Sequence, residues 1–328
     1  MCRWVLLVHG DSDGVCSGAL AYHYYALIRH CSVDVYFTHP AGLANDLLEF
    51  TSNGDNVFIA DIALCEKSID AIKNVLRERS RHGSVVYIDH HPAPLGLNPR
   101  DLSGEVIHDT CCSASELVYR YFHDKGLSDE YSRVALFGAI GDYLDNTEWV
   151  NKVLNDWDKR HVFFEAGILI QALESSRREY DFKRRIVKYL AHNGLPSNDS
   201  ELVLRAIIQG RRDEELRLWI REHVVKKYKF LSLVVNPPGS LGRAATYARV
   251  YGSSPVGLAY EVRNNIAIMS LRSIEGIDLN ILLRKLCKEI NCSGGGHPNA
   301  AGARVEIDKL EIFFNLLDKM ISEHVRSS

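Results

Sequence analysis

Short apolar runs alternate with amphipathic segments over residues 4–88, and this alternation constrains the fold more than any other feature of the sequence. The apolar runs cover residues 4–8, 33–37, 56–60 and 84–88, and the amphipathic segments between them cover residues 14–28, 44–50 and 66–79. The spacing of apolar positions predicts helices in the amphipathic segments and strands in the short runs. Because strand and helix follow in turn, the pattern predicts crossover units and a mostly parallel sheet.

Polar residues follow three of these predicted strands, at the point where each strand ends. They are His9, Asp11 and Asp13 after the first, Asp61 after the third, and Asp89, His90 and His91 after the fourth. In open α/β sheets, ligands bind at the carboxyl ends of the strands. Asp89-His90-His91 taken alone is equally explained by a polar turn with buried, satisfied histidines, but the three strand ends together predict a site.

The rest of the chain changes character twice. Helices are predicted over residues 113–123 and 128–141 and through the segment 151–227, which a Gly-Leu-Pro-Ser-Asn break interrupts. Strands return at residues 230–235, 256–262 and 266–271, followed by a helix over 279–290, a glycine-rich loop, a strand over 303–307 and a helix over 310–325. We therefore predict an α/β protein with an N-terminal, mostly parallel sheet and flanking helices in residues 1–185, a helical connector in 186–228 and a smaller C-terminal α/β domain in 229–328.

The formal net charge of −3 hides a basic middle segment. Residues 151–230 hold 17 Lys and Arg against 12 Asp and Glu. A basic segment of this kind is where a polyanion would bind, although a set of solvated helix faces explains it equally well.

Membrane insertion and disulfide bonding are not expected from the sequence. No segment approaches the roughly 18 uninterrupted apolar residues that a membrane helix needs. The apolar start is predicted to be a strand rather than a signal peptide because polar residues follow it at once, and we predict a cytoplasmic protein. The eight cysteines are scattered without a C-x-x-C pair, so we expect reduced thiols rather than a zinc finger or a disulfide framework.

Four carboxylates and two imidazoles form the candidate metal ligands: His9, Asp11, Asp13, Asp61, His90 and Asp142. A mixed oxygen and nitrogen set without thiolate favours Mn²⁺, with Mg²⁺, Co²⁺ or Zn²⁺ as alternatives. Two such ions, about 3.5–4 Å apart, would generate hydroxide and neutralise charge during a phosphoryl displacement. Hydrolysis of a phosphate ester is the chemistry that this set predicts.

A glycine run in the C-terminal domain is a candidate anion site. Gly294, Gly295 and Gly296 lack side chains and tolerate positive φ, so their backbone N–H groups can approach a phosphate closely. His297 after the run, and Arg272 at the end of the preceding hairpin, add donors that suit phosphate oxygens. The alternative is a flexible turn with a surface histidine.

In their order along the chain, these motifs resemble those of the DHH phosphoesterase superfamily, in the subgroup that also carries a DHHA1 domain. The matching segments are His9-Gly10-Asp11-Ser12-Asp13-Gly14, Ala60-Asp61, Asp89-His90-His91, Gly141-Asp142, Ser270-Leu271-Arg272-Ser273 and residues 294–302. The resemblance covers nearly the whole chain.

The resemblance implies a role for each residue. His9 and Asp11 would bind one Mn²⁺, Asp13, His90 and Asp142 the other, and Asp61 would bridge the two ions. Asp89 would support the site, and His91 would face the scissile phosphate. Arg272 and His297 would reach across an interdomain cleft to the phosphate or terminal nucleotide of the substrate.

The function that the resemblance implies is a Mn²⁺-dependent exonuclease or oligonucleotide phosphodiesterase that releases 5′-mononucleotides from short or single-stranded RNA or DNA. A pAp phosphatase and a cyclic-dinucleotide phosphodiesterase are the close alternatives. A non-catalytic, replication-associated scaffold is the alternative from another class, and the presence of all six ligand residues disfavours it. The basic connector would either grip a nucleic-acid strand or dock onto a protein partner or a second copy of the chain.

Overall fold

The computed structural model describes residues 2–327. The chain divides into two compact units, and the division falls between Gln209 and Gly210 in the sequence. Residue 185 lies inside a helix of the first unit, Tyr180–Ala191. The predicted division at residues 185 and 228, with a connector between them, stays a prediction.

The first unit is organised around a five-stranded sheet in which all strands run parallel. The strands are β1 (Arg3–Val8), β2 (Ser32–Phe37), β3 (Asn56–Ala60), β4 (Val85–Asp89) and β5 (Glu105–His108), in the order β2-β1-β3-β4-β5. The predicted α/β class with a parallel N-terminal sheet is confirmed. Strand β5 was not predicted, because it is only four residues long and reads Glu-Val-Ile-His, with none of these side chains fully buried.

Helices cover both faces of this sheet. They are α1 (Ser12–Tyr22), α2 (Leu43–Phe50), α3 (Ile69–Ser80), α4 (Ala114–His123), α5 (Ser132–Gly141), α6 (Glu148–Val153), α7 (Lys159–Ser176) and α8 (Tyr180–Ala191), and α9 (Ser200–His223) runs across the division. The predicted helix 14–28 is α1 followed by a π-helical segment, His23–Ile28. Successive residues of β1 are buried in two different hydrophobic cores, because side chains alternate between the faces of a strand. Leu6 and Val8 belong to one core and Leu7 to the other.

The second, smaller unit contains a mixed sheet, also of five strands. Its elements are β6 (Leu231–Val235), α10 (Leu241–Tyr251), β7 (Val256–Arg263), β8 (Ile266–Ser273), α11 (Leu279–Ile290), β9 (Ser293–Gly296), β10 (Ala300–Glu306) and α12 (Leu310–Ser327), with the strand order β6-β7-β8-β10-β9. The predicted hairpin of β7 and β8 is confirmed. Helix α10 was missed because its buried face consists of alanines, which give a weak apolar pattern.

Two sequence-based expectations are wrong in the structure. Cys2 is joined to Cys31, and Cys287 to Cys292, by disulfide bonds, so these four cysteines are not reduced thiols. Pairing of β1 with β2 brings Cys2 close to Cys31, and the end of α11 brings Cys292 close to Cys287. The spacing of the cysteines in the sequence does not reveal either contact. Part of the predicted glycine-rich loop is strand β9, which pairs with β10.

Across residues 2–327, none of the helices combines the length and apolar character needed to span a membrane.

Candidate metal centre

His9 and Asp11 lie in the turn between β1 and α1. Asp11 is the N-cap of α1, and its Oδ1 accepts a hydrogen bond from the Gly14 N–H at 3.1 Å. Its Oδ2 lies 2.7 Å from His9 Nδ1. A Cβ on Gly14 would collide with the His9 carbonyl oxygen, so this tight turn requires glycine. We call His9 and Asp11 the outer group.

The outer group forms an ion pair. Partial desolvation would raise the pKa of the half-exposed Asp11, but the interaction with His9 and the hydrogen bond from Gly14 bring that pKa well below its usual range. Partial desolvation would lower the pKa of His9, but the interaction with Asp11 outweighs it and raises that pKa above its usual value. Both shifts favour a carboxylate beside an imidazolium when no metal is bound.

Asp13 is held by the start of another helix. Its carboxylate is almost fully buried and accepts hydrogen bonds from the N–H groups of Ala114, at 2.7 Å, and Ser115, at 2.9 Å. These are among the first residues of α4, whose N-terminus carries unsatisfied donors and a partial positive charge. The carboxylate orientation is therefore fixed by secondary structure.

Asp61 follows β3 and contacts ligand residues on two sides. Its Oδ2 lies 3.8 Å from His9 Nδ1, and its Oδ1 lies 3.3 Å from His90 Nε2. Its backbone has a φ of 61°, in the left-handed region that non-glycine residues rarely adopt outside functional or turn positions. Burial, followed by repulsion from Asp11 and Asp13, raises the pKa of Asp61 well above its usual value.

The end of β4 supplies Asp89, His90 and His91. His90 is buried, and its Nε2 lies 3.4 Å from Asp142 Oδ2 and 3.8 Å from Asp13 Oδ2. We call Asp13, His90 and Asp142 the inner group. Asp89 Oδ1 lies 2.8 Å from His91 Nδ1. Burial would raise the pKa of Asp89, but His91 and other nearby histidines lower it, so its carboxylate is suited to hold the His91 ring.

The hydroxyl of Tyr87 gives Asp89 a further contact. It lies 2.7 Å from the Ile62 carbonyl oxygen and 3.1 Å from Asp89 Oδ2. Tyr87 was not singled out in the sequence because a tyrosine within an apolar run is typical of a core. Its position two residues before Asp89 in the same strand places both side chains on one face.

Asp142 is the C-cap of α5. A Cβ on the preceding Gly141 would collide with the Ser12 hydroxyl, so glycine allows α5 to lie directly against α1. Burial and the nearby Asp13 carboxylate raise the pKa of Asp142 to about 7, although His90 opposes this shift. Asp142 is therefore protonated over much of the acidic range when no metal is bound.

The candidate ligand atoms of these residues form clusters, each of which could hold a cation. His9, Asp11 and Asp61 form one group, and Asp13, His90 and Asp142 form another, with the ligand atoms of each group within 4.8 Å of one another. Within residues 2–327, Asp61 Oδ2 is buried without a hydrogen-bond partner. A mixed set of imidazoles and mutually repelling carboxylates fits a pair of hard divalent ions.

The second unit brings the predicted substrate-binding residues to one end of its sheet. Arg272 of β8 is paired with Ala300 of β10, and Gly296 of β9 is paired with Ala301. The N–H of His297 donates to the Ala300 carbonyl oxygen at 2.9 Å, which closes a tight turn. Gly294, Gly295 and Gly296 form the strand that leads into this turn, and the last two have positive φ.

Two sequence models of protein domains match the chain. One, described as the DHH family N-terminal domain, matches residues 4–140, and the other, described as the DHHA1 domain, matches residues 227–323. The two matches together cover more than half of the sequence. The chain belongs to the DHH superfamily. The predicted metal-dependent phosphoesterase is confirmed at the level of this superfamily.

Several solved structures share the DHH and DHHA1 fold of the chain. RecJ from Thermus thermophilus in complex with Mn²⁺ has a TM-score of 0.69 and 16% identity, and the match covers 98% of this chain and 52% of that RecJ. Another RecJ exonuclease bound to manganese has a TM-score of 0.66 and 16% identity, with coverage of 99% and 92%. The pGpG-specific phosphodiesterase PggH from Vibrio cholerae has a TM-score of 0.57 and 14% identity, with coverage of 99% and 100%.

The chain spans about half the length of the Thermus RecJ. Identities of 14–16% establish a common fold and no more. No curated protein matches the chain in sequence.

The basic middle segment of this DHH protein contains many local ion pairs. Arg184 lies 2.6 Å from Asp181, and Arg185 pairs with both Asp199 and Glu201. These pairs offset the charge of Arg184 and Arg185 locally, while the excess of basic residues over the whole segment remains.

Proposed function

We propose that this DHH protein is a Mn²⁺-dependent two-metal phosphodiesterase that acts as an exonuclease on single-stranded or short oligonucleotides and releases 5′-mononucleotides. The observation that carries the proposal is the position of Asp61, whose two carboxylate oxygens face the outer and inner groups of ligands. A carboxylate placed in this way is suited to bridge two cations. Mg²⁺ or Co²⁺ would suit the same donors.

In this proposal, His9 and Asp11 hold one ion, Asp13, His90 and Asp142 hold the other, and Asp61 contributes to both. When bound, the pair of ions would lower the pKa of a bound water, which makes hydroxide available, and would neutralise charge on the phosphoryl group. The protein contributes ligands whose orientation is already set, since Asp11 caps α1 and Asp13 accepts two N–H groups of α4.

His91 is proposed to contact the scissile phosphate. Its Nδ1 is held by Asp89, so Nε2 is the nitrogen through which the ring would donate a hydrogen bond to a phosphate oxygen. The Asp89 carboxylate accepts a hydrogen bond from Nδ1–H and orients the ring, and in the imidazolium form the second hydrogen, on Nε2, would donate to the phosphate oxygen. Asp89 thus acts on the substrate through His91.

Arg272, His297 and the N–H groups of Gly294, Gly295 and Gly296 are proposed to bind the phosphate or terminal nucleotide of the substrate. The guanidinium can donate to two phosphate oxygens at once. The support for this assignment is that β8, β9 and the turn into β10 place these groups at the same end of the second sheet.

Tyr143 supports a substrate that carries a nucleobase. It directly follows Asp142, its backbone has a φ of 60°, and it is 84% exposed. A left-handed backbone at a tyrosine is uncommon and is found most often at turns and functional sites. A base stacked on an exposed aromatic ring contributes about 1–3 kcal/mol without regard to sequence. The sequence offered one signal for this residue, its place next to a predicted ligand.

The test is a hydrolysis assay with Mn²⁺ and RNA or DNA of graded length, labelled at the 5′ or 3′ end, with pAp and cyclic dinucleotides in parallel. We expect 5′-mononucleotides as the first product from short single strands. Exclusive turnover of pAp or of a cyclic dinucleotide would replace the proposed substrate with that alternative. A protein that binds no Mn²⁺ and hydrolyses none of these substrates would instead be a non-catalytic scaffold.

A further inference from the structure

Lys183 of α8 is a buried cation that the proposed chemistry does not use. The residue is only 5% exposed, and its Nζ donates a hydrogen bond to the Gly10 carbonyl oxygen at 2.5 Å. Gly10 is the residue between His9 and Asp11, so this contact is made to the backbone of the outer group. The two residues are separated by 173 positions in the sequence.

Burial of this ammonium group is costly. Removal from water lowers the pKa of Lys183, and the carboxylates of Asp11, Glu174 and Glu179 oppose that shift. A buried lysine is retained in a stable fold only where hydrogen bonds or opposite charges compensate its desolvation. The hydrogen-bond partner that the structure gives the Lys183 Nζ is the Gly10 carbonyl oxygen.

The surroundings fix the position of this contact. Helix α8 packs against α1, and a Cβ on Gly18 of α1 would lie 3.6 Å from Val187 of α8. A Cβ on Gly10 would lie 3.1 Å from Lys183 Nζ, so glycine leaves room for the ammonium group to approach the turn. Lys183 therefore links the turn that carries His9 and Asp11 to a helix that is itself packed on α1.

We propose that Lys183 is a positioning residue for the outer metal ligands. Its hydrogen bond to the Gly10 carbonyl holds the turn in the conformation in which His9 and Asp11 meet Asp61. The inference rests on the proposed two-metal site, since it assigns Lys183 a role in forming that site before the ions bind.

The test compares two variants of Lys183 with a control on the same helix. Lys183→Met removes the donor and the charge, and Lys183→Gln keeps an N–H donor without the charge. Lys188→Met removes an exposed lysine of α8. Mn²⁺ binding to the metal-free full chain is measured by calorimetry, and thermal unfolding is recorded for each protein.

We expect Lys183→Met to weaken binding of one Mn²⁺ by about 10–100-fold, the range typical of lost contacts that support metal ligands. Lys183→Gln should retain most of the affinity, and Lys188→Met should match the original chain. Tighter Mn²⁺ binding in both Lys183 variants would show that the lysine acts only as a repelling charge and would overturn the proposal. A lower unfolding temperature with unchanged Mn²⁺ affinity would also overturn it, because the role would then be structural.

Gly10→Ala keeps the proposal testable if Lys183→Met does not fold. The added methyl group presses on Nζ while the lysine stays in place, so we expect weaker binding of the same ion. Unchanged Mn²⁺ affinity in Gly10→Ala would contradict the proposal. If the original chain binds two Mn²⁺ but hydrolyses no substrate, the proposed function fails while the variants still decide the role of Lys183.

Discussion

The inner and outer groups of ligands differ in how the fold holds them. In the inner group, the side chains of Asp13 and His90 are each 1% exposed and that of Asp142 is 27% exposed, whereas those of His9 and Asp11 in the outer group are 38% and 48% exposed. The inner group is fixed by the end of β4, the start of α4 and the end of α5. The outer group lies in a single turn, which the cap of α1 and the Lys183 contact hold in place. This difference teaches that the inner group of candidate ligands is positioned by secondary structure, whereas the outer group depends on a few specific contacts.

The largest expected effect comes from Asp61, which faces both groups. Changes in residues that support metal ligands reduce activity by up to about 100-fold. Asp61→Asn should reduce turnover by far more, because it removes a proposed ligand of both ions. The same variant should unfold at a higher temperature than the original chain when both are metal-free at pH 8, because it removes a buried carboxylate repelled by its neighbours. Steady-state kinetics and calorimetry measure the two effects. Near-normal turnover would contradict the assignment of Asp61 to both ions.

Asp13→Asn and Asp11→Asn test whether the two halves hold separate ions. Each variant should bind one Mn²⁺ fewer than the original chain, and electron paramagnetic resonance should show the loss of coupled Mn²⁺ pairs. The ion that remains in Asp11→Asn should be the tighter one, because the inner group is already fixed by helices and a strand. Asparagine is also a good N-cap, so Asp11→Asn should leave α1 stable. A remaining ion that binds more tightly in Asp13→Asn than in Asp11→Asn would reverse the comparison.

As pH rises, the stability of the metal-free protein and its affinity for Mn²⁺ should change in opposite directions. The pKa of Asp142 is raised to about 7 and that of His9 is also raised, so the folded protein holds these protons more tightly than the unfolded chain. Stability of the metal-free protein should therefore fall between about pH 4 and 7 through Asp142, and above about pH 6.5 through His9, by at most a few kcal/mol. Mn²⁺ affinity should rise over the same range, since bound protons compete with the metal.

Thermal unfolding at pH 5 and pH 8, with and without Mn²⁺, checks these signs. Asp142→Asn serves as the matched variant, since it cannot take up a proton at this position and should show a smaller loss of stability with pH. An equal change of stability with pH in Asp142→Asn and in the original chain, both metal-free, would contradict the raised pKa of Asp142.

The smallest expected effect concerns Tyr143, beside the inner group. Tyr143→Ala should raise the KM for an oligonucleotide by roughly 5–150-fold, which corresponds to the loss of about 1–3 kcal/mol of stacking, while Mn²⁺ affinity stays unchanged. Tyr143→Phe keeps the ring and should retain the original KM. An alanine variant with an unaltered KM would show that the exposed ring does not contact the substrate.

Much of the fold follows from local patterns in the sequence. The apolar runs at residues 56–60 and 84–88 have the β-branched character of buried parallel strands, and the helix at 279–290 coincides with α11 because its apolar positions repeat at helical spacing. Strand β5, helix α10 and strand β9 were missed because they are short, alanine-rich or glycine-rich. Their structure comes from pairing and packing with distant segments, and not from local preference.

The sequence by itself determined the candidate ligands and the edge of the sheet at which they lie. Parallel strands present their carboxyl ends on one edge, so His9, Asp61 and His90 are brought near one another by topology alone. Only the tertiary structure decided that Asp61 faces both groups, that Asp13 is bound by the first N–H groups of α4, and that Lys183 meets Gly10. These contacts join residues far apart in the chain through side-chain directions and helix packing, which no local pattern encodes.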